Sequence, residues 1–398
     1  MADFGGAELD AFRAEARDWI EANFPKSLAH AEFAMIPGGE KPTGDALTWK
    51  QRMADKGWGA PTWPTQYGGG GLSGAQARVL QQEMDRAGAY NPVAGMGTSM
   101  FGPTLLEYGT EDQKQRHIPS IVRGELRWCQ GYSEPGAGSD LASLTTKCVD
   151  KGDHWQIDGS KIWTSGAQYA DWCFCLVRTD TTKKHEGISF VLINMHQPGV
   201  ETRPIKLIAG NSPFCETFFT AARAEKNDMV GPLNGGWTIG KRLLQHERSG
   251  QGGSRMMGGG ASVTDLAKKY VGLDDKGRIA DPDLRTRVAR HVMDARAHAL
   301  TLKRAADEAK GNQNPSATTS VMKNSGTWIG QEKAELTLEI MGHQGLGWEG
   351  DAFAKEERDA VRTWLSGKAT TIFGGSQEIQ SNIVSKRILG LPDTTQNG

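Results

Sequence analysis

A glycine-rich loop and a tryptophan-bearing segment contain the residues best suited to hold a ligand. Residues 131–140 read Gly-Tyr-Ser-Glu-Pro-Gly-Ala-Gly-Ser-Asp, and residues 161–166 read Lys-Ile-Trp-Thr-Ser-Gly. Glycines allow backbone N–H groups to approach a ligand closely, and a tryptophan supplies a flat apolar wall with one hydrogen-bond donor. Together the two segments predict a site for a large planar cofactor such as a flavin.

One acid on an apolar helix face is a candidate general base. Ile239, Leu243 and Glu247 are spaced four residues apart, so they share one face of a predicted helix. Burial beside a cofactor raises the pKa of a carboxyl, which is the direction that a base working near neutral pH needs. The alternative is a structural ion pair between Glu247 and Arg248. His246 points about 100° away from Glu247 and is interpreted as a surface or packing residue.

The composition argues against several classes of protein. A chain of 398 residues predicts two or three domains. Its 46 Lys and Arg against 47 Asp and Glu give a net charge of −1, which argues against a nucleic-acid or membrane-surface binder. No run of about 18 apolar residues is present, so no membrane span is expected. Residues 1–5 carry no secretory signal pattern, and a cytoplasmic location is therefore expected.

The cysteines predict free thiols and no metal site. Their number is odd and their spacing irregular, which is typical of a reducing compartment. Two of them alternate along a predicted strand, where they point to the same side and are interpreted as packing residues. A metal site would need further ligands close by, and none are present. The five are Cys129, Cys148, Cys173, Cys175 and Cys215.

The predicted elements are helical, then β, then helical. We expect an N-terminal helical domain over residues 1–125, a central β-barrel over 126–231 and a C-terminal helical bundle over 232–398. Alternation of apolar residues predicts strands at residues 155–161, 172–177 and 187–193. Helical spacing predicts helices at residues 48–57, 75–87, 238–247, 284–310, 318–341 and 351–365. The glycine run 250–260 weakens the helix before it, and residues 393–398 are expected to be disordered.

The loop and the tryptophan segment resemble the middle domain of the acyl-CoA dehydrogenases. The resemblance extends from Trp63-Pro64 and Tyr67-Gly68-Gly69 to the segment Ile-Leu-Gly-Leu-Pro at residues 388–392. It implies an α+β fold with an N-terminal helical domain, a β-barrel and a C-terminal four-helix bundle, with FAD between the last two. It also implies α,β-dehydrogenation of an acyl-CoA to the trans-2-enoyl-CoA, with an electron-transfer flavoprotein as acceptor.

The resemblance assigns roles to individual residues. Ser133 matches a hydroxyl that bonds the isoalloxazine edge, Trp163 the aromatic side chain against the ring, and Ser165 a hydroxyl near N5. Ser139 and Gln245 are assigned to the CoA substrate. The residues assigned to the rest of the cofactor are Gly342, Gln344, Ser376 and Glu378.

The usual catalytic carboxylate of the family is missing. Many members carry it in a loop that reads Tyr-Glu-Gly-Thr-Ser, and Gly374 stands at the position of that Glu. The isovaleryl-CoA and long-chain members instead carry their Glu on the first long helix of the bundle, just before an Arg. By this resemblance Glu247 is the α-proton base, and Arg248 tunes the site.

A second departure concerns the partner. Homotetrameric members usually carry Arg-x-x-Phe-Gly after the first bundle helix, and residues 272–282 lack it; Ser381 also replaces a common Arg. This resembles subunits of α2β2 enzymes, so a related second subunit is predicted to complete the FAD site, with a homo-oligomer as the alternative. A non-catalytic partner subunit and a flavin-dependent acyl-CoA oxidase also remain open. The helix ahead of Glu247 carries Gly236 and Gly240, and Gly250 and the glycines after it are interpreted as room for a bulky branched, dicarboxylic or steroid-like acyl chain.

Overall fold

A computed structural model describes residues 6–30, 41–251, 261–310 and 316–392 of the chain. The side chains of residues 7, 247–251, 306–310 and 316–319 lie outside the described part. The chain divides into two compact units. The first comprises Met1–Ile205 and Ser212–His246, and the second comprises Lys206–Asn211 and Glu247–Gly398.

The first unit begins with five helices. Two of them start with capping boxes, in which Ser73 pairs with Gln76 and Thr110 with Gln113. The helix predicted at residues 48–57 starts earlier, at Gly44. The five helices are α1 (Ala7–Asn23), α2 (Gly44–Asp55), α3 (Gly74–Arg86), α4 (Gly102–Tyr108) and α5 (Glu111–Val122).

An eight-stranded sheet follows the helices. Its order is β6-β7-β3-β2-β4-β5-β8, with β1 paired to β4. The central β domain is confirmed, and its barrel is not closed, because β6 and β8 end the sheet without pairing to each other. β8 has only two residues and cannot bridge that gap. The strands are β1 (Trp128–Gly131), β2 (Lys147–Asp150), β3 (His154–Ser165), β4 (Trp172–Arg178), β5 (Ile188–Asn194), β6 (Val200–Ile205), β7 (Phe214–Glu225) and β8 (Met229–Val230).

Strand β4 is buried on both faces, as its sequence predicts. Its residues from Cys173 to Val177 are completely inaccessible to solvent. All five cysteines are buried and free, and burial raises the pKa of the Cys148 thiol to about 12. No described helix is long and apolar enough to cross a membrane.

Helix α6 (Gly236–Gln251) packs closely against the sheet at two glycines. A Cβ atom at Gly236 would lie 2.3 Å from the carbonyl carbon of Ser189, and one at Gly240 would lie 3.1 Å from Leu176 Cδ1. These two glycines therefore allow the helix to approach β4 and β5. For Gly250, which is interpreted as room for the acyl chain, only the helical backbone is described.

The second unit is helical. Its helices are α7 (Val263–Tyr270), α8 (Pro282–Lys310), α9 (Ser316–Met341), α10 (Lys355–Gly367) and α11 (Gln377–Ile383). The predicted starts of α8 and α9 are late by two residues, and the predicted range of α10 is shifted by several residues. Residues 252–260 of the glycine run and the tail 393–398 lie outside the described residues.

The close contact of α6 with the sheet predicts opposite effects for two glycine substitutions. Gly236→Ala should lower the free energy of unfolding by about 1–3 kcal/mol, because the new methyl group meets rigid backbone. Gly330→Ala in α9 is the matched control, since no atom lies within 4 Å of its Cβ position. It should raise stability by up to about 1 kcal/mol. Urea denaturation of both variants checks this, and equal effects would contradict the packing.

Candidate functional site

A buried carboxylate holds the glycine-rich loop in place. Glu134 Oε2 accepts hydrogen bonds from the backbone N–H and the hydroxyl of Thr145, at 2.7 and 2.9 Å. Its Oε1 accepts from the Thr146 N–H at 2.9 Å and from Lys161 Nζ at 2.8 Å. Lys161 is completely buried and also donates to the Tyr132 carbonyl at 3.2 Å. The pair therefore connects the loop, the start of β2 and strand β3.

The electrostatics of this carboxylate explain how it tolerates burial. Burial raises the pKa of Glu134, but the charge of Lys161 and the hydrogen bonds together outweigh it and lower the pKa to about 2. Glu134 is therefore ionised at neutral pH. Our sequence analysis assigned no role to Glu134 or Lys161. The signal that could have indicated this ion pair is one acidic residue in the glycine-rich loop and one lysine in the tryptophan segment.

The backbone at Trp163 is strained. The pairing of β3 with β7 shifts register between Lys161 and Thr164, and Trp163 in this bulge has a left-handed φ of +61°. Both Lys161 and Thr164 are fully buried, whereas 53% of Trp163 is exposed. Left-handed backbone at a bulky residue is costly and concentrates at functional sites. The bulge leaves the indole half-exposed between two buried residues of the strand, with its ring edge-to-face with Phe214 at 6.1 Å.

The structure brings the bulge and the loop together. The Ile162 N–H, next to Trp163, donates to the Ser133 carbonyl at 2.8 Å. Ser133 and Ser165 are both half-buried, so each hydroxyl lies at the edge of the protein surface. Ser139, predicted to face CoA, is exposed at the far end of the loop.

The loop itself leaves its backbone open to a ligand. Cβ positions at Gly136 and Gly138 have no atom within 4 Å. Gly131 is different, since a Cβ there would meet the sulfur atoms of Cys173 and Cys175 at 2.8 and 2.9 Å. An exposed flat indole beside open backbone and two hydroxyls fits the ring system of a flavin.

The second unit positions the remaining predicted cofactor residues in two turns. Gly342, exposed with φ +56°, ends α9, and Gln344 follows in a half-buried turn. Ser376 caps α11 by accepting a hydrogen bond from the Ile379 N–H at 3.4 Å. Glu378 is exposed, and hydrogen bonds from its own backbone N–H and then from Ser376 lower the pKa of its carboxyl.

The position of the usual family base does not suit a carboxylate side chain. Gly374 has φ +67° and Gly375 has φ +89°, in the left-handed region that favours glycine. A Cβ at Gly375 would also lie 2.3 Å from Gln380 Nε2, which donates to the Gly374 carbonyl at 3.1 Å. A Glu at position 374 would therefore be strained.

Helix α6 extends past Leu243 to the candidate base. Ile239 and Leu243 are buried in the core of the first unit, and the helical backbone continues to Gln251. Glu247 follows Leu243 by one turn on the same face. The side chains of Glu247 and Arg248 lie outside the described residues.

The two residues before Glu247 are described and contact polar neighbours. Gln245 is exposed, and its Oε1 accepts from Arg242 at 2.9 Å. Arg242 also donates to Glu107 at 2.8 Å. His246 is half-buried with Nε2 at 3.9 Å from Glu107, and burial followed by repulsion from Arg242 lowers its pKa.

Three family models match successive parts of the chain. The N-terminal, middle and C-terminal domains of acyl-CoA dehydrogenases match residues 6–125, 129–222 and 234–389. The chain belongs to the acyl-CoA dehydrogenase family. Members of this family are FAD-dependent flavoproteins, so the expectations of an acyl-CoA dehydrogenase and of FAD as cofactor are confirmed.

Individual relatives extend over nearly the whole chain. The acyl-CoA dehydrogenase IpdE1 of Mycolicibacterium smegmatis is 36% identical over 97% of this chain and 98% of its own. The structure of the steroid acyl-CoA dehydrogenase Tcur3481–Tcur3483 has a TM-score of 0.78 at 30% identity, covering 98% of this chain and 99% of that one. The ChsE4–ChsE5 complex of Mycobacterium tuberculosis has a TM-score of 0.74 at 27% identity, with 98% and 99% covered.

The buried ion pair predicts a large loss of stability for Lys161→Met. The Glu134 charge would remain buried without its cation, which should cost about 3–5 kcal/mol of unfolding free energy. Lys184→Met is the control, because its exposed pair with Asp140 at 2.8 Å should cost at most about 1 kcal/mol. The double variant Lys161→Met/Glu134→Gln should recover part of the loss. Urea denaturation at neutral pH measures all three.

The pH dependence of Lys161→Met provides a separate check. In the native protein the depressed pKa of Glu134 contributes stability above pH about 4.5 that is lost as the pH falls towards 2. Without Lys161, burial should raise that pKa above its ordinary value, so that stability falls as the pH rises through it. The difference between native protein and variant should therefore shrink from neutral pH to about pH 4.5. A constant difference would contradict the electrostatic role of Lys161.

Proposed function

We propose that this acyl-CoA dehydrogenase uses Glu247 to remove the α-proton of its acyl-CoA substrate, giving the trans-2-enoyl-CoA. The identity of Gly374 carries this proposal, because a glycine at the usual position of the family base leaves no carboxylate there. A bound FAD, which Ser133, Trp163 and Ser165 would hold, would supply the acceptor for the hydride of the β-carbon. Arg248 follows the base directly and tunes its charge.

The α-proton of a thioester is only weakly acidic, so the base must be positioned and partly desolvated. Helix α6 supplies that positioning because its first turns are locked against the sheet by Gly236 and Gly240. The orientation of a carboxylate is better defined on a rigid helix than on a loop.

We assign the binding of the cofactor and of CoA to the residues that follow. Ser133, Trp163 and Ser165 would hold the isoalloxazine ring, with the Glu134–Lys161 pair holding the loop beneath them. Ser139 and Gln245 would contact CoA. The residues proposed for the remainder of the dinucleotide are Gly342, Gln344, Ser376 and Glu378.

We also propose that a related second subunit completes the FAD site. Residues 272–282, which lack the family's Arg-x-x-Phe-Gly, form a tight turn in which Leu273 bridges Ile279. Asp274 pairs with Arg278 at 2.8 Å and accepts its backbone N–H at 2.9 Å, so this arginine is engaged locally. The ChsE4–ChsE5 structure is a complex of two such proteins, which supports the proposal.

The wider setting follows from the relatives. An acyl-CoA dehydrogenase named for steroids, at 30% identity, supports a place in fatty acid or steroid catabolism. We propose a cytoplasmic enzyme that passes its electrons to an electron-transfer flavoprotein. The division into domains at residues 1–125, 126–231 and 232–398 is part of the same proposal.

Replacement of the base should abolish turnover without loss of cofactor. Glu247→Gln should lower the rate of flavin bleaching by an acyl-CoA by at least about 10²–10⁴-fold, while FAD content stays unchanged. Glu356→Gln is the matched control, because Glu356 is exposed and pairs with Lys269. Anaerobic stopped-flow absorbance measures the rate. Unchanged bleaching in Glu247→Gln would identify another base or a non-catalytic subunit.

The second-subunit proposal predicts how FAD content depends on co-expression. The protein purified alone should hold little FAD, and co-purification with its related subunit should restore stoichiometric FAD in an α2β2 particle. Native mass spectrometry and the visible spectrum measure both quantities. A stable homotetramer with full FAD would refute the proposal.

A further inference from the structure

The first unit contains a cavity of about 290 Å³. Residues 90–98 form one wall, α2 and the chain between α5 and β1 form others, and the turn after β3 closes it. Most of its lining is apolar, for example Val93, Met96 and Trp128. Its volume lies near the lower end for small-ligand pockets, which is about 300 Å³.

Ser165 connects this cavity to the proposed reaction centre. It lies on the cavity wall together with Gly166 and Tyr169. Ser165 is also the residue proposed beside flavin N5, and Trp163 precedes it by two residues. A group that enters the cavity past Ser165 would therefore extend away from the proposed flavin position.

One lysine places a cation on the wall of this apolar cavity. Lys50 on α2 is half-buried, and among the described residues its ammonium donates one hydrogen bond, to the Gly124 carbonyl. An ammonium has three donors, so two remain for a ligand. The charged residues among the described lining are Lys50 and Arg127, both cationic.

Charged neighbours shift the pKa of Lys50 in both directions. Burial lowers the pKa of Lys50, repulsion from Arg127 lowers it further, and Lys41 adds to this effect. Glu125 acts in the opposite direction but pairs with Arg123 at 2.9 Å. An anionic group in the cavity would favour the charged form of the Lys50 ammonium.

We propose that the cavity takes the far end of the acyl group and that Lys50 binds a carboxylate there, so that the substrate is an ω-carboxyacyl-CoA. The apolar walls suit the methylene chain, and the cation suits its terminus. This inference rests on the dehydrogenase function proposed above. Lys50 is a specificity residue, because it contacts the substrate away from the reacting carbons.

The native enzyme provides the first test. The FAD-loaded protein, with its second subunit where FAD requires it, is given ω-carboxyacyl-CoAs of increasing length. The same series is repeated with their methyl esters and with the straight-chain acyl-CoAs. A charge-assisted hydrogen bond predicts that kcat/KM for the acids exceeds that of the esters by about 10- to 100-fold. The difference should lie mainly in KM, and calorimetry should show a lower Kd for the acids than for their esters.

Variants at Lys50 separate recognition from folding. Lys50→Met should remove the preference by lowering kcat/KM for the acids alone, and Lys50→Arg should retain it. Lys56→Met is the matched control, because Lys56 follows the same helix and pairs with exposed Glu15 at 3.1 Å. An equal loss for acids, esters and straight chains in Lys50→Met would show a structural role only and overturn the inference.

The two proposals fail in different ways. Flavin that no acyl-CoA bleaches would refute the dehydrogenase function. Flavin bleached equally well by acids, esters and straight-chain thioesters would leave that function standing and overturn the carboxylate site.

Discussion

The buried ion pair between Glu134 and Lys161 is the contact on which the proposed cofactor surface depends. It joins a loop without regular structure to strand β3 of the sheet. A buried charge is tolerated only when its partner and its hydrogen bonds are all present, and here the two carboxylate oxygens accept four such bonds. The loop and the bulge can then be held open to solvent, with Ser133 and Trp163 positioned beside each other by one backbone hydrogen bond.

A second constraint is the close packing of α6 on the sheet. Gly236 allows the first turn of the helix to touch the backbone of β5, and Ile239 and Leu243 bury the next turns. The direction of the helix is thereby set before it reaches Glu247. At Gly374 the backbone instead adopts a conformation suited to glycine. The two observations together favour a helix-borne base over a loop-borne one.

The sequence predicts the order of the helical and β regions but not the contacts that hold the loop and the bulge. Burial of β4 on both faces follows from its continuous apolar residues. The Glu134–Lys161 pair does not, because the two residues are 27 positions apart and periodicity carries no information on such a contact. The sequence also does not tell which glycines serve packing and which leave the backbone open to a ligand. Gly236 and Gly240 serve packing, whereas Gly136 and Gly138 leave the backbone open. The two-residue strand β8 was also missed, because it is too short for an alternation pattern.

The most direct test of a base on α6 is exchange of the substrate α-hydrogen with solvent. The FAD-loaded protein is incubated in deuterium oxide with an acyl-CoA, and deuterium at the α-carbon is measured by mass spectrometry. This readout reports proton removal independently of electron transfer. We expect exchange with the native protein and its loss in Glu247→Gln. Undiminished exchange in Glu247→Gln would contradict the account, because another group would then remove the proton.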